Sequence, residues 1–309
     1  MDFVTVERAE LPVKGMAICS AWSEKNLALI TSENKCHAFF KNHFLFDFSA
    51  SNATALDASS KFIVLGTNTG TIIQYDPVLK ARNANNKHSK SVTAVHCYQD
   101  TVLSASEDGS YSLGNNKVDV TPSGIVDALL MPDGSVVCAC GDNSVVVSKN
   151  NAFTTYLGHK DKIINLSHNK STITSSVDGF FGILRNELNM VNMECSKHEQ
   201  RNSSLVLGYG MTKLRHFDLN SGKIIDLYEE NNTILNKPQI NCATVEGDLI
   251  AFTTGNGSTI NFLDPRSDDK MCYEIGQPII DLKFSNTSDL LYVATETSSI
   301  MCNVKRITM

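Results

Sequence analysis

Residues 158–187 read GHKDKIINLSHNKSTITSSVDGFFGILRNE, and three short runs lie inside them. KIINLSH ends in the polar stretch Asn169 to Ser171, TITSSVDG ends in Val177-Asp178-Gly179, and FFGILRN follows at once. Brief runs rich in Ile, Thr, Val and Phe, broken by Gly, Asp, Asn and Ser, are the pattern of antiparallel strands joined by tight turns. No helical periodicity competes with it.

Outward from this unit the pattern repeats. The counterparts of TITSSVDG are LALITSE (27–33), FIVLGTNTG (62–70), TVLSASEDG (101–109), VVCACGDN (136–143), SLVLGYG (204–210), LIAFTTGNG (249–257) and LLYVATETS (290–298). Their starts fall 32 to 45 residues apart. A further strand follows several of them, as in TIIQYDP (71–77), SVVVSKN (144–150), KLRHFDL (213–219) and TINFLDP (259–265). Another precedes most, as in SVTAVHCYQD (91–100), GIVDALLMPDG (124–134), QINCATVEGD (239–248) and PIIDLKFSNTSD (278–289). A period of about 40 residues built from several short strands is that of a β-propeller blade.

The reading is therefore all-β: one propeller over 1–309, made of four-stranded antiparallel blades. Eight runs favour eight blades. Seven remain open, because the stretch NELNMVNMECSKHEQRNSS must supply both an outer strand and the next inner strand. After Ser299 only IMCNVKRITM remains, enough for one strand. The amino-terminal strand within residues 1–9 is expected to complete the last blade and close the ring, removing a free sheet edge.

The chain resembles a divergent WD-repeat β-propeller. The match rests on Gly158-His159 ahead of an inner strand, on Val177-Asp178-Gly179 at the next turn, and on Tyr75-Asp76, Phe217-Asp218 and Leu263-Asp264, which stand where that family has Trp-Asp. The resemblance implies a hydrogen-bonded group of His, Ser or Thr, Asp and Trp within a blade. One set would use His159, Ser175 or Ser176, and Asp178; another would use His88, Ser104 or Ser106, and Asp108. Both lack the Trp. The single Trp, Trp22, falls instead in the run MAICSAW.

Composition narrows the function. The chain is 42% hydrophobic, which excludes a disordered chain, and nine Cys among 309 residues are too few for a disulfide scaffold. A net charge of −6 argues against a general nucleic-acid or anionic-membrane binder. No secretory signal and no long apolar span is present, which points to the cytoplasm or nucleus and to no membrane insertion. Cys138-Ala-Cys140 is the only close Cys pair, and without a second pair it reads as small apolar filler rather than a metal site. No nucleophile elbow, H-E-x-x-H or EF-hand loop occurs.

No enzyme activity, cofactor, metal or small-molecule substrate is therefore expected. His88, Asp108, His159, Ser176 and Asp178 are expected to be structural hydrogen-bonding groups. Partner-binding candidates are Lys80, Arg82, Lys87 and Lys90, taken as one inter-blade connection, together with Lys160, Asp161, Lys162 and Phe180. Ser196 to Arg201 forms another polar, partly basic connection. The function expected is a scaffold that binds other protein subunits of a larger complex. The alternatives are a peptide-recognition adaptor of ubiquitin or chromatin pathways, which would need several Arg or Lys converging on the central channel, and an RNA-associated assembly factor using the basic loops.

Overall fold

A computed structural model describes residues 4–23, 26–40, 43–98, 101–150, 152–169, 171–200, 204–229, 240–254, 257–266, 269–285 and 289–306. They form eight antiparallel sheets of four strands each, arranged as the blades of a propeller. Blades 1 to 7 span 17–49, 53–86, 92–119, 125–156, 163–192, 197–229 and 240–274. Blade 8 takes its first three strands from 279–306 and its outer strand from Val4–Glu10. That strand pairs antiparallel with Ser299–Arg306, from Val4 opposite Arg306 to Glu10 opposite Ile300. The two ends of the chain thus share one sheet and close the ring. Phe3 lies outside the described residues.

The second strand of each blade is the most deeply buried. Ile63–Thr67, Val136–Cys140 and Thr172–Ser176 are buried at every residue. Burial on both faces explains why these strands read as continuous apolar or small runs and not as alternating ones. Outer strands have the opposite character: Ala81–Asn86 is exposed throughout.

Side-chain alternation divides each second strand between two neighbours. Val136, Cys138 and Cys140 pack with Leu103 and Tyr111 of blade 3, whereas Val137 and Ala139 pack with Ile163 and Leu166 of blade 5. In blade 1, Leu27 and Leu29 join Tyr292 and Met301 of blade 8, while Ala28 and Ile30 join Leu56 and Leu65 of blade 2. The described core is eight such clusters, one at each seam between blades.

Eight blades, not seven, follow from how the thin stretch after Asn186 is used. It provides the outer strand Leu188–Asn192 and then the inner strand Lys197–Gln200, only four residues long. The other seven inner strands carry a register shift near their start, and this one does not. Turns between second and third strands rely on glycine where space and backbone both demand it. At Gly109 φ is +83°, and a Cβ would stand 1.7 Å from the Thr121 carbonyl oxygen.

Removing residues 1–9 should destabilise the ring by more than about 3 kcal/mol, through the lost burial of Val4 and of the apolar face it covers and the lost strand pairing. A thermal melt of the truncated chain checks this; a melting temperature equal to the parent's would refute closure by this strand.

Candidate functional site

Two blades carry a histidine shortly before the inner strand, and both rings are buried within the blade. In blade 5, His159 Nδ1 lies 3.2 Å from Asp178 Oδ2, and Nε2 lies 2.6 Å from Thr174 Oγ1. In blade 3, His88 Nε2 lies 2.8 Å from Ser104 Oγ, while Nδ1 lies 3.0 Å from Ser110 Oγ. The Ser110 hydroxyl donates in turn to Asp108 Oδ1 at 2.6 Å. With an acceptor on the Nδ1 side in both blades, the ring proton is assigned to Nδ1, and Nε2 accepts the Ser or Thr hydroxyl. Phe180 occupies the place of Ser110 in blade 5, so His159 there reaches its carboxylate directly.

Burial lowers the pKa of both rings and keeps them neutral. Burial alone would raise Asp178, but N–H donation from Lys160 and Phe180 and the adjacent ring outweigh it, and the carboxyl lies below its ordinary range. Asp108 is held lower still. Burial opposes ionisation there too, but the Ser110 hydroxyl, the Ser89 N–H and the Lys117 ammonium prevail.

The hydroxyl that meets each ring lies one strand alternation deeper than the turn. Ser106 and Ser176, nearest the turn, donate to the carbonyls of Ser91 and Asp161, both at 2.8 Å. Ser104 and Thr174, on the same face two residues earlier, take the histidine. Ser175, on the other face, donates to Asn165 Oδ1 at 2.5 Å. The aspartates after the missing tryptophans cap turns: Asp76 Oδ1 accepts the N–H groups of Val78 and Leu79. Trp22 donates its indole N–H to the Lys283 carbonyl at 3.3 Å, across the seam between blades 1 and 8.

A second set of polar side chains, not singled out by sequence reasoning, joins the inner strands. An inner strand pairs within its own blade on one side only, and its other edge faces the next blade. There Cys97 N–H donates to Asp57 Oδ2 at 2.7 Å, Leu130 N–H to His96 Nδ1 at 3.4 Å, Leu166 N–H to Asp127 Oδ2 at 2.7 Å, and Phe284 N–H to Thr244 Oγ1 at 3.1 Å. Burial pushes the Asp127 carboxyl up to about 6 and raises Asp57 as well, although the accepted amides pull both down. Their only sequence signal is a carboxylate in an apolar run, as in Ala-Leu-Asp-Ala (55–58) and Ile-Val-Asp-Ala (125–128).

The basic candidates do not form one connection. Six residues of outer strand, Ala81–Asn86, separate Lys80, at the turn after the third strand, from Lys87 and Lys90, which lead into blade 3. That strand spans about 20 Å, which puts the two groups on opposite rims. Arg82 stays near Lys80, and Lys87 Nζ donates to Asn115 Oδ1 at 2.9 Å. Lys160, Asp161 and Lys162 are exposed together on the connection leading into blade 5, and Phe180 beside them is half-buried. Lys197 to Gln200 is strand rather than connection, and Arg201 lies outside the described residues.

All nine cysteines are unpaired. Cys138 and Cys140 are buried in the seam of blades 3 and 4, and burial pushes the Cys140 thiol up to about 11, so it stays protonated at neutral pH. Among the described residues no three His, Cys, Asp or Glu side chains are grouped to hold a metal ion. No helix among them is long and apolar enough to cross a membrane.

No protein-family model matches the sequence, and no curated protein matches it either. Solved structures do match in fold. The computationally designed Ika8 protein is 15% identical with a TM-score of 0.77, covering 96% of this chain and 98% of its own. The C-terminal WD40 domain of Sif2 is 17% identical with a TM-score of 0.75, covering 98% and 99%. The β-propeller domain of Myceliophteria thermophila Cps50 (Swd1) is 14% identical with a TM-score of 0.60, covering 83% and 97%. The chain is thus a β-propeller with the fold of WD40 domains.

Asp178→Ala strands the His159 Nδ1–H and two backbone amides, and should lower stability by about 1–3 kcal/mol in urea titration; an unchanged midpoint would refute this assignment. His198 supplies a test against pH. It is buried beneath Phe181, and burial lowers its pKa from 6.5 to about 3. Below pH 6.5 the unfolded chain binds a proton here that the folded chain refuses until about pH 3. This group's contribution therefore falls as pH falls through that window, by at most about 1.4 kcal/mol per pH unit. His198→Gln should flatten the dependence of unfolding free energy on pH between 6 and 4 by about 1 kcal/mol per pH unit. An unaltered slope would contradict it.

Proposed function

We propose that this propeller is a non-catalytic scaffold that binds other protein subunits of a larger complex in the cytoplasm or nucleus. The supporting observation is where the reactive side chains lie. His88, His159, Asp108 and Asp178 are engaged with one another inside blades, and Asp57 and Asp127 are engaged between them. What reaches solvent together on the rim of inter-blade connections is Lys160, Asp161 and Lys162, with Lys90 on another connection of the same rim. Charged groups on loops held by a rigid ring suit contact with a partner. Nine unpaired thiols are consistent with a reducing compartment.

Two observations weigh on the alternatives. The inner strands carry no Arg; they carry Asp57, Asp127, Glu199, Glu246 and Asp281 against Lys197 and Lys283. Two Lys and no Arg on the inner strands fall short of the converging cations that an adaptor for an anionic or phosphorylated peptide would need. Lys80 and Arg82 stand apart from Lys87 and Lys90, so these four residues do not form one basic track for a nucleic-acid backbone, which needs several phosphates neutralised along one path.

Affinity purification of the tagged chain from native extract, followed by size exclusion and mass spectrometry, tests the proposal. The expected outcome is elution well above 33.8 kDa with at least one other protein in near-equal amount. Recovery only as a free monomer would overturn it.

A further inference from the structure

The inner strands of blades 8 and 1 carry exposed aliphatic side chains at their register shifts. At the register shift of the inner strand, blades 2 and 3 carry Thr54 and Thr93. Their hydroxyls donate across the seam to the carbonyls of Val92 at 2.6 Å and Ile125 at 2.8 Å. The same position is aliphatic in four blades: Val126 and Ile164 in blades 4 and 5 are half-buried there, whereas Ile280 in blade 8 and Ile18 in blade 1 are exposed. Ile280 is 42% exposed, Ile18 56% and the neighbouring Met16 40%. A cavity of about 370 Å³ opens between these two inner strands on the rim of inter-blade connections, with Tyr292 and Ser20 in its wall. That volume lies within the ~300–1,000 Å³ of pockets that hold small ligands.

Asp281 is the one charged residue in the lining. Its Oδ2 accepts the Ser20 hydroxyl at 3.2 Å, and among the described residues it belongs to no ion pair. Lys283, two residues on, directs its ammonium to the Ser20 carbonyl at 3.4 Å. Burial raises the Asp281 pKa, a cost that a cation entering the cavity would relieve. A carboxylate behind three exposed alkyl side chains matches one kind of group, a cation at the end of an alkyl stem.

We propose that the groove between blades 8 and 1 takes a lysine or arginine side chain from an extended segment of a partner protein, with its stem between Ile18 and Ile280 and its cation on Asp281. This rests on the scaffold reading and gives that scaffold a specific contact surface. The other lining groups supply shape and one hydroxyl, so the carboxylate carries the selectivity.

The probes are Nα-acetyl-lysine N-methylamide and its arginine, norleucine and glutamate counterparts, titrated into the full chain with labelled isoleucine methyls and followed by NMR. Saturable shifts of the Ile18 and Ile280 methyls are expected with the two basic probes. The norleucine probe should bind at least threefold more weakly, and the glutamate probe should give no saturable shift. Asp281→Asn should abolish the response to the basic probes. Ile280→Thr, which places a hydroxyl where Thr54 and Thr93 have one, should also abolish it, read on the Ile18 methyl, while leaving the melting temperature in place. No saturable shift, equal binding of norleucine, or persistence in Asp281→Asn would overturn the proposal.

In native extract the same variants separate the two readings. If Asp281→Asn and Ile280→Thr recover the parent's assembly undiminished, the groove is refuted and the scaffold stands. If the parent recovers no assembly, the scaffold reading fails and the titration decides the groove.

Discussion

A four-stranded blade of this protein has two apolar faces and no means of covering either. The alternation along Val136–Cys140 sends three side chains toward blade 3 and two toward blade 5. Removing either neighbour would expose half of a strand that is buried at every position. This requirement for a partner on both sides forces closure, because an open row of blades would leave an apolar face at each end. Closure by the amino-terminal strand satisfies the same requirement at the join. It also pairs the outward edge of the last carboxy-terminal strand, which an unclosed chain would leave open.

The inner strands face a further problem, since each is paired within its blade on one side only. Seams of this ring meet it with a side chain from one blade that accepts a backbone amide from the next. Asp57, His96 and Thr244, each three residues past the register shift, and Asp127, directly after it, do this with different chemistries. A carboxylate there accepts a strong hydrogen bond but carries the cost of burial, which is why Asp127 titrates near 6. Closure and stitching together place the polar side chains with strong hydrogen-bonding chemistry inside the molecule. At the seam between blades 8 and 1 the carboxylate, Asp281, accepts the Ser20 hydroxyl, and the isoleucines at the two shifts, Ile280 and Ile18, are exposed.

Most of the fold was legible because the signals for strands and turns are local. Asp108-Gly109 and Asp178-Gly179 read as tight turns, and both turns use glycine at positive φ. The site was less legible. His159 and Asp178 could be paired by resemblance, but Thr174 rather than Ser175 or Ser176 meets the ring, because the histidine reaches past the turn-proximal residue. Lys80 and Lys90 lie ten positions apart and read as one basic loop. The pairing of Ala81–Asn86 with the third strand of its blade turns the middle of that loop into an outer strand and sends its ends to opposite rims.

Taken alone, the sequence determined the all-β class, the repeat of about 40 residues and the presence of eight strand runs, since each rests on the composition of short segments. Closure by the first strand also followed from it, by counting strands at the two ends. Tertiary structure decided that the thin stretch after Asn186 yields two strands, which hydroxyl each histidine meets, and which carboxylates stitch the inner edges. It also decided that Ile18, Ile280 and Asp281 share one groove although more than 260 residues separate the first from the last. Those outcomes depend on which blade stands beside which, and spacing along the chain carries no record of contacts formed only when the ring closes.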